Sequence, residues 1–592
     1  MKKIIVSIVA ISILFIACKQ QPKITVKENE AFNQFLEAYY QGGLQLNPIR
    51  ATFAGDNRYN DQFPNTLSED FQQKITAFFT DYLTKAADYT DETLTESQQM
   101  SKAVLLWDCE IRLKQLHFKK ELLMPIDQMW SIHLMMGQLG SGASAQPFKT
   151  VLDYTNWLQR LEGYDTWLHT AIERMQQGIK EGYVLPASLT KKVIPQFEVL
   201  ASTALKKHLF YSPLNQFPES FSKGEKEKLT KAYSKMLSKK LLPTFKSMHQ
   251  FLTTDYLSSS RASSGISDTP NGLNYYKHSI KNYTTTRMTA DEIHNLGLSE
   301  VARILSEMEK VKQQVGFKGT LKEFFDDVRK NKKLMPYTTS KQIIDHFNEI
   351  HTRMKPQLEK LFGNKPKTAF MVKQTEKFRE ASASAEYNQG SLDGTRPGVF
   401  YTPIPDATKY NVFSDEALFL HEAIPGHHYQ ISLQQENTSL PSFRKTLWYS
   451  AYGEGWALYT ENLGKELGLY TDPYQYFGML GMEMHRAIRL VVDTGLHTKG
   501  WSREKAIQYS LDNEAESEAG ITSEIERYMA NPGQALSYKI GQLKIRELRT
   551  KATQELGDRF DIKEFHNQVL ASGCIPLALL EAKINKWIAA SK

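Results

Sequence analysis

The stretch HEAIPGHHYQ, residues 421–430, sets one glutamate among three histidines. Imidazole nitrogens and carboxylates ligate zinc, and a glutamate beside a ligand histidine can take the proton of a metal-activated water. In the pattern H-E-x-x-H the two histidines sit one helical turn apart. His421 and Glu422 fit that pattern, but the next ligand position is Pro425, and histidines return at His427 and His428. On an uninterrupted helix these lie about 9 and 10.5 Å from His421 along the axis. Nitrogens that share one zinc lie about 3–4 Å apart. A regular helix therefore excludes the site. A bulge at Pro425-Gly426 would restore it, because proline removes a backbone donor and glycine accepts unusual dihedrals. The competing account is a polar, histidine-rich helix end that holds no metal.

A tetrahedral catalytic site needs a third protein ligand and leaves the fourth position to water. In WYSAYGEGWALYTENLG, Glu454 stands between Gly453 and Gly455, small neighbours that permit close backbone approach. It is the expected third ligand. Glu461, seven residues on and on the same helical face, is expected to support the site or the fold. Without the histidines, Glu454 would read as a carboxylate at a helix start, where the dipole favours negative charge. Of the two later histidines, His427 is the expected ligand, since Gly-His closes similar sites in helical metallopeptidases. His428 is the alternative ligand or a neighbour of the cleft.

The elements that must carry these residues read mostly as helix. Phe32, Phe35, Leu36 and Tyr39 form one apolar face, and SQQMSKAVLLWDCEIRLKQLHF and YDTWLHTAIERMQQGIKEG repeat the style. TADEIHNLGLSEVARILSEMEKV opens with Thr289 and Glu292 at capping-box spacing. The expected fold is mainly α, a large multi-helix metallopeptidase-like architecture with a small β element beside the active-site helix. That element is GVFYT, Gly398–Thr402, read as an edge strand able to pair with an extended peptide. Residues 31–257 read as an N-terminal helical region, 258–272 (SSSRASSGISDTPNG) as a linker or long loop, and 273–592 as the catalytic region.

The first residues, MKKIIVSIVAISILFIACKQ, set Lys2 and Lys3 before an apolar run short for a membrane span. Phe15-Ile16-Ala17-Cys18 resembles a bacterial lipobox. Residues 1–17 are the expected signal peptide, Cys18 the lipidated N-terminus, and 18–30 a tether, giving a membrane-anchored protein of the bacterial envelope. An ordinary cleaved signal is the alternative. Lipidation leaves Cys109 and Cys574, either a disulfide or two buried thiols. The net charge of +7 is spread over 592 residues with lysines and glutamates interleaved, which argues against a nucleic-acid partner.

HEAIPGHHYQ, EGWALYTE, HRAIRLVVDTGLHTKGW and RYMANPGQALSYKIG, together with AFNQFLEAYYQGG and LNPIRATFAGDNRYND, resemble the bacterial family called domain of unknown function 885 (DUF885). The resemblance covers nearly the whole mature chain. It implies a helical metallopeptidase with glutamate as third ligand, one zinc ion per chain, and hydrolysis of peptide bonds, without supplying which peptide is the substrate. Glu422 is then the general base. Tyr538, Arg527 and His497 are candidates to stabilise the oxyanion. Tyr528, Arg396 and Tyr401 are candidates to bind substrate, although turn chemistry leading into the strand accounts for the last two as simply. Two other readings compete: a non-catalytic peptide-binding lipoprotein on a peptidase scaffold, and a zinc hydrolase of non-peptide amides or esters. Oligomeric state, side-chain preference and exo- or endopeptidase action are not written in these residues.

Overall fold

The computed structural model describes residues 26–592 apart from 378, 379, 381, 382 and 393. Cys18 and the leader lie outside the described residues. The fold is mainly helical, with one three-stranded sheet. Helix starts follow local chemistry. Thr95, Thr150, Ser222, Thr289, Thr320 and Thr339 each form a capping box with the residue three positions on, satisfying backbone N–H groups that the first turn leaves open. No helix among the described residues is long and apolar enough to cross a membrane.

Two apolar cores form, and their membership differs from the expected boundary at 258–272. One contains Leu123, Trp157, Phe197, Phe245 and Tyr256. The other joins Phe32, Leu36, Phe79 and Val104 from the N-terminal helices to Ile304, Phe347, Trp456 and Val491 from the second half of the chain. An amphipathic stripe shows that a helix is half-buried but not which core receives it. Segment 258–272 is packed. Arg261 exchanges backbone hydrogen bonds with Leu185 and Ala187, Ser264 and Ile266 are buried, and a Cβ on Gly265 would lie 2.2 Å from the Leu496 carbonyl.

The strands are β1 (Phe370–Gln374), β2 (Glu386–Asn388) and β3 (Gly398–Thr402), in the order β1-β3-β2. β3 pairs in parallel with β1, Phe370 opposite Gly398, and antiparallel with β2, Glu386 opposite Tyr401. The expected edge strand is therefore the central one. Its backbone is used on both sides, so β3 cannot add a substrate strand.

Two helix pairs set the site. Helix Ala290–Gln314 lies along helix Pro473–Thr498, and helix Ser450–Glu461 lies along helix Ser537–Leu556. In the second pair Gly455 and Gly541 face each other: a Cβ on Gly455 would lie 2.4 Å from the Gly541 Cα, and a Cβ on Gly541 only 1.8 Å from the Ala451 carbonyl. Absent side chains let the two backbones touch, which brings Glu454 and Tyr538 into one neighbourhood.

Cys109 and Cys574 are both buried free thiols, and no disulfide joins them. Burial pushes each thiol pKa up to about 12.

Candidate metal centre

The histidine motif forms two short helices rather than one bulged helix. Asp415–Glu422 ends at Ala423, and a new helix runs His427–Glu436. Between them the Ile424–Pro425 bond is cis. Gly426 sits so close under the first helix that a Cβ would lie 1.9 Å from the His421 carbonyl and 2.3 Å from that of Leu420. The groups freed by the break find partners on helix Ser450–Glu461. Thr460 donates to the Leu420 carbonyl at 2.9 Å, and the Trp456 indole donates to the Pro425 carbonyl at 2.8 Å. Sequence distance along one axis is thereby replaced by a fold-back.

The fold-back brings His421 and His427 together, and Glu454 reaches them from the neighbouring helix. His421 Nε2 lies 3.6 Å and His427 Nε2 3.5 Å from Glu454 Oε2. Among the described residues these three form the group able to hold a metal, with all ligand atoms within 4.8 Å of one another. Bonds of about 2.0–2.2 Å to a common ion place tetrahedral ligand atoms at about this spacing. The donor set, two imidazoles and one carboxylate, suits zinc.

The neighbours fix the candidate ligands. Glu461 Oε1 accepts from His421 Nδ1 at 2.7 Å, which turns Nε2 toward Glu454. His427 has no such partner; its Nδ1 is buried without a hydrogen bond, and its ring is held between the His421 ring at 4.8 Å and Trp448 at 5.7 Å. Trp448 is 42% exposed, so it forms an aromatic wall of the site that also meets solvent. Burial disfavours the His421 imidazolium, but hydrogen bonds to Glu454 and Glu461 outweigh burial and raise its pKa to about 9. Glu454 shows the reciprocal effect: burial opposes its charge, and hydrogen bonds from His421 and His427 hold it well below the usual carboxylate range. Burial pushes the Glu422 carboxyl above its ordinary value, against the opposing pull of His421, His427 and Arg486.

The remaining expected residues divide. Tyr538 stands beside Glu454; burial and that carboxylate raise its phenol pKa, and the Arg489 guanidinium lies over its ring at 4.4 Å. His428 points elsewhere. Its Nδ1 meets the Tyr387 hydroxyl at 3.0 Å, its ring packs on Phe370, and burial lowers its pKa to about 4. Arg396 is exposed and Tyr401 is half-buried in β3.

Three expectations are corrected. His497 is buried with both ring nitrogens on backbone, Nδ1 accepting from Ile266 N–H and Nε2 donating to the Tyr528 carbonyl, so no ring N–H is left for an oxyanion. Arg527 spends its guanidinium on Glu524, at 2.9 Å through Nε and Nη2, and on Gln534, so it is a structural ion pair. Tyr528 is buried, donating to Glu524 at 2.7 Å and accepting from Arg489 Nε at 3.1 Å, and does not line a cleft. The sequence reading passed over Trp448, Arg486 and Arg489. The last two belong to HRAIRL, where basic residues three apart share a helix face; that spacing was the available signal.

The family described as "Bacterial protein of unknown function (DUF885)" matches residues 48–584. Among solved structures, a "putative lipoprotein" from Colwellia psychrerythraea is 27% identical, with a TM-score of 0.85 over 95% of this chain and 100% of its own. A "putative lipoprotein of unknown function" from Shewanella oneidensis is 20% identical, with a TM-score of 0.72 over 93% of this chain and 99% of its own. No curated protein matches.

Proposed function

Because the chain belongs to the DUF885 family, whose description leaves activity open, we propose its function from the site itself: a zinc-dependent peptidase held at the bacterial envelope by a lipid on Cys18. One observation carries this reading. Two imidazole nitrogens, each 3.5–3.6 Å from one carboxylate oxygen and all within 4.8 Å of one another, converge from three helical segments with Glu422 beside them. The lipid anchor is supported by the lipobox-like end of the leader and by two similar structures named as lipoproteins.

His421, His427 and Glu454 would hold the ion. Once bound, zinc supplies a Lewis acid that polarises the scissile carbonyl and acidifies water. Glu422, buried and raised in pKa, takes the proton of the attacking water and returns it to the leaving amine, so that a C–N bond breaks as C–O and N–H bonds form. Tyr538 donates a hydrogen bond where the carbonyl oxygen gains charge. Arg489 over its ring favours the electron-rich phenol and keeps it oriented. Glu461 holds His421 in the tautomer that offers Nε2.

The test is elemental analysis of purified protein together with cleavage profiling on a peptide library and on small amides and esters, for wild type and Glu422→Gln. The proposal expects one zinc per chain in both proteins and peptide cleavage in wild type alone. Zinc without turnover on any substrate would favour a binding lipoprotein. Turnover confined to small amides or esters would favour the non-peptide hydrolase. Unchanged cleavage by Glu422→Gln would remove Glu422 from its role.

A further inference from the structure

Away from the metal cluster, a cavity of about 770 Å³ opens between the two apolar cores. Tyr39, Phe79 and Phe443 line it from one core and Leu67 and Trp167 from the other. Its volume falls within the range of about 300–1,000 Å³ that small-molecule pockets occupy. Helix Glu30–Leu46 forms part of the wall and carries adjacent glycines in its interior, an unfavourable choice for a helix. Packing explains Gly42, whose Cβ would lie 2.6 Å from the Phe78 ring. It does not explain Gly43, whose Cβ would meet nothing within 4 Å. The missing side chain at Gly43 leaves the cavity open.

Two arginines on the wall keep guanidinium nitrogens free of hydrogen bonds among the described residues. Asp108 is neutralised: Oδ1 accepts from Arg112 Nε at 2.9 Å and Oδ2 from the Tyr39 hydroxyl. Glu121 is occupied by Tyr275, Gln115 and Lys120. Arg112, its guanidinium set over the Phe79 ring, makes no hydrogen bond through its terminal nitrogens among the described residues. Its side chain is 45% exposed against 10% for Asp108. Arg50, also on the wall, has no side-chain hydrogen bond among the described residues. Of the other polar groups, Gln72 Nε2 donates to the Thr66 carbonyl and Thr66 Oγ1 accepts from the Trp167 indole. Between the rings and aliphatic side chains of the two cores a peptide would bury most of its amides without partners, at a cost that a hydrocarbon avoids.

We propose that this cavity binds a long-chain fatty acid, its hydrocarbon between the two cores and its carboxylate on the free nitrogens of Arg112. The site is independent of the proposed peptidase reading, and its test uses no turnover. Binding of hexadecanoate, hexadecanol and a hydrophobic peptide with a free C-terminus is measured calorimetrically on the mature chain freed of copurified lipid. The expected result is one hexadecanoate per chain, with hexadecanol weaker by about tenfold or more because it lacks the charged hydrogen bond. Arg112→Gln should erase the preference for acid over alcohol. Gly43→Phe should fill the cavity and lose both ligands, with helix content and Tm kept or raised. No saturable hexadecanoate binding, preference for the peptide, or wild-type affinity in Gly43→Phe would each overturn the proposal. Should Arg112→Gln unfold through the charge left on Asp108, Gly43→Phe still decides.

Discussion

Replacing Gly426 by alanine adds one methyl group at the joint on which the candidate metal centre turns. The new Cβ would stand 1.9 Å from the His421 carbonyl and 2.3 Å from the Leu420 carbonyl, both backbone atoms. Neither can swing away as a side-chain tip can. Relief requires the His427 helix to move off the His421 helix by roughly 1 Å, and displacements of that size from a reactive geometry cost about 10²-fold in rate. Metal sites tolerate less, with ligand distances confined to about ±0.2 Å. Leu420 is also the acceptor of Thr460, so the movement strains the tie to the Glu454 helix. The expected outcome for Gly426→Ala is a protein with wild-type helix content, less than one-tenth of the wild-type zinc affinity by chelator competition, and no measurable peptide cleavage. The same chelator titration on Gly224→Ala, where a Cβ meets nothing within 4 Å, should match wild type. Wild-type zinc affinity in Gly426→Ala would refute the argument that this close contact sets the spacing of the two histidines.

Four further outcomes follow from the same geometry. Glu461→Gln keeps an acceptor near His421 Nδ1 but removes the charge, and zinc affinity should fall about 10–100-fold; unchanged affinity would show that His421 needs no such support. Tyr538→Phe should lower kcat by about 10²–10³-fold with zinc content intact, the loss expected for one oxyanion donor, and an unaltered kcat would withdraw the residue. His497→Ala orphans the Ile266 N–H and the Tyr528 carbonyl, so stability should drop by about 2–5 kcal/mol while zinc stays bound, as read by urea unfolding and metal analysis. His497 and His566 are buried and neutral, with burial lowering each pKa to about 3. The unfolded chain binds their protons below about pH 6.5 while the folded chain does not, so stability should fall by about 1.4 kcal/mol per pH unit for each as pH drops from about 6.5 toward 3. A flat urea midpoint between pH 7 and pH 5 would contradict that assignment.

The candidate ligands His421, His427 and Glu454 were legible in the sequence as residue types, and the way they converge was partly so. The mismatch between helical rise and zinc geometry showed that a shared zinc would require the chain to deform at Pro425-Gly426. It did not show whether a bulge or a full break results, because the answer depends on Trp456 and Thr460 reaching across from another helix. Gly453 and Gly455 signalled close approach, but the partner, Gly541, lies far along the chain. Lone polar residues were the least legible. Arg527 and Tyr528 stand in the same block as Tyr538 and His497 in the block before it, and nothing in a single sequence separates a histidine that ties backbone amides from one that faces a substrate. The strand at Gly398–Thr402 was visible, yet its central position depended on two short neighbours with little pattern of their own.

The central claim is that His421 Nε2, His427 Nε2 and Glu454 Oε2 share one zinc ion. Anomalous diffraction from crystals of the wild-type protein, recorded on both sides of the zinc absorption edge, measures this directly. The account predicts a single strong peak among those three atoms, at about 2.0–2.2 Å from each. A peak elsewhere, or none there in zinc-saturated crystals, would contradict it.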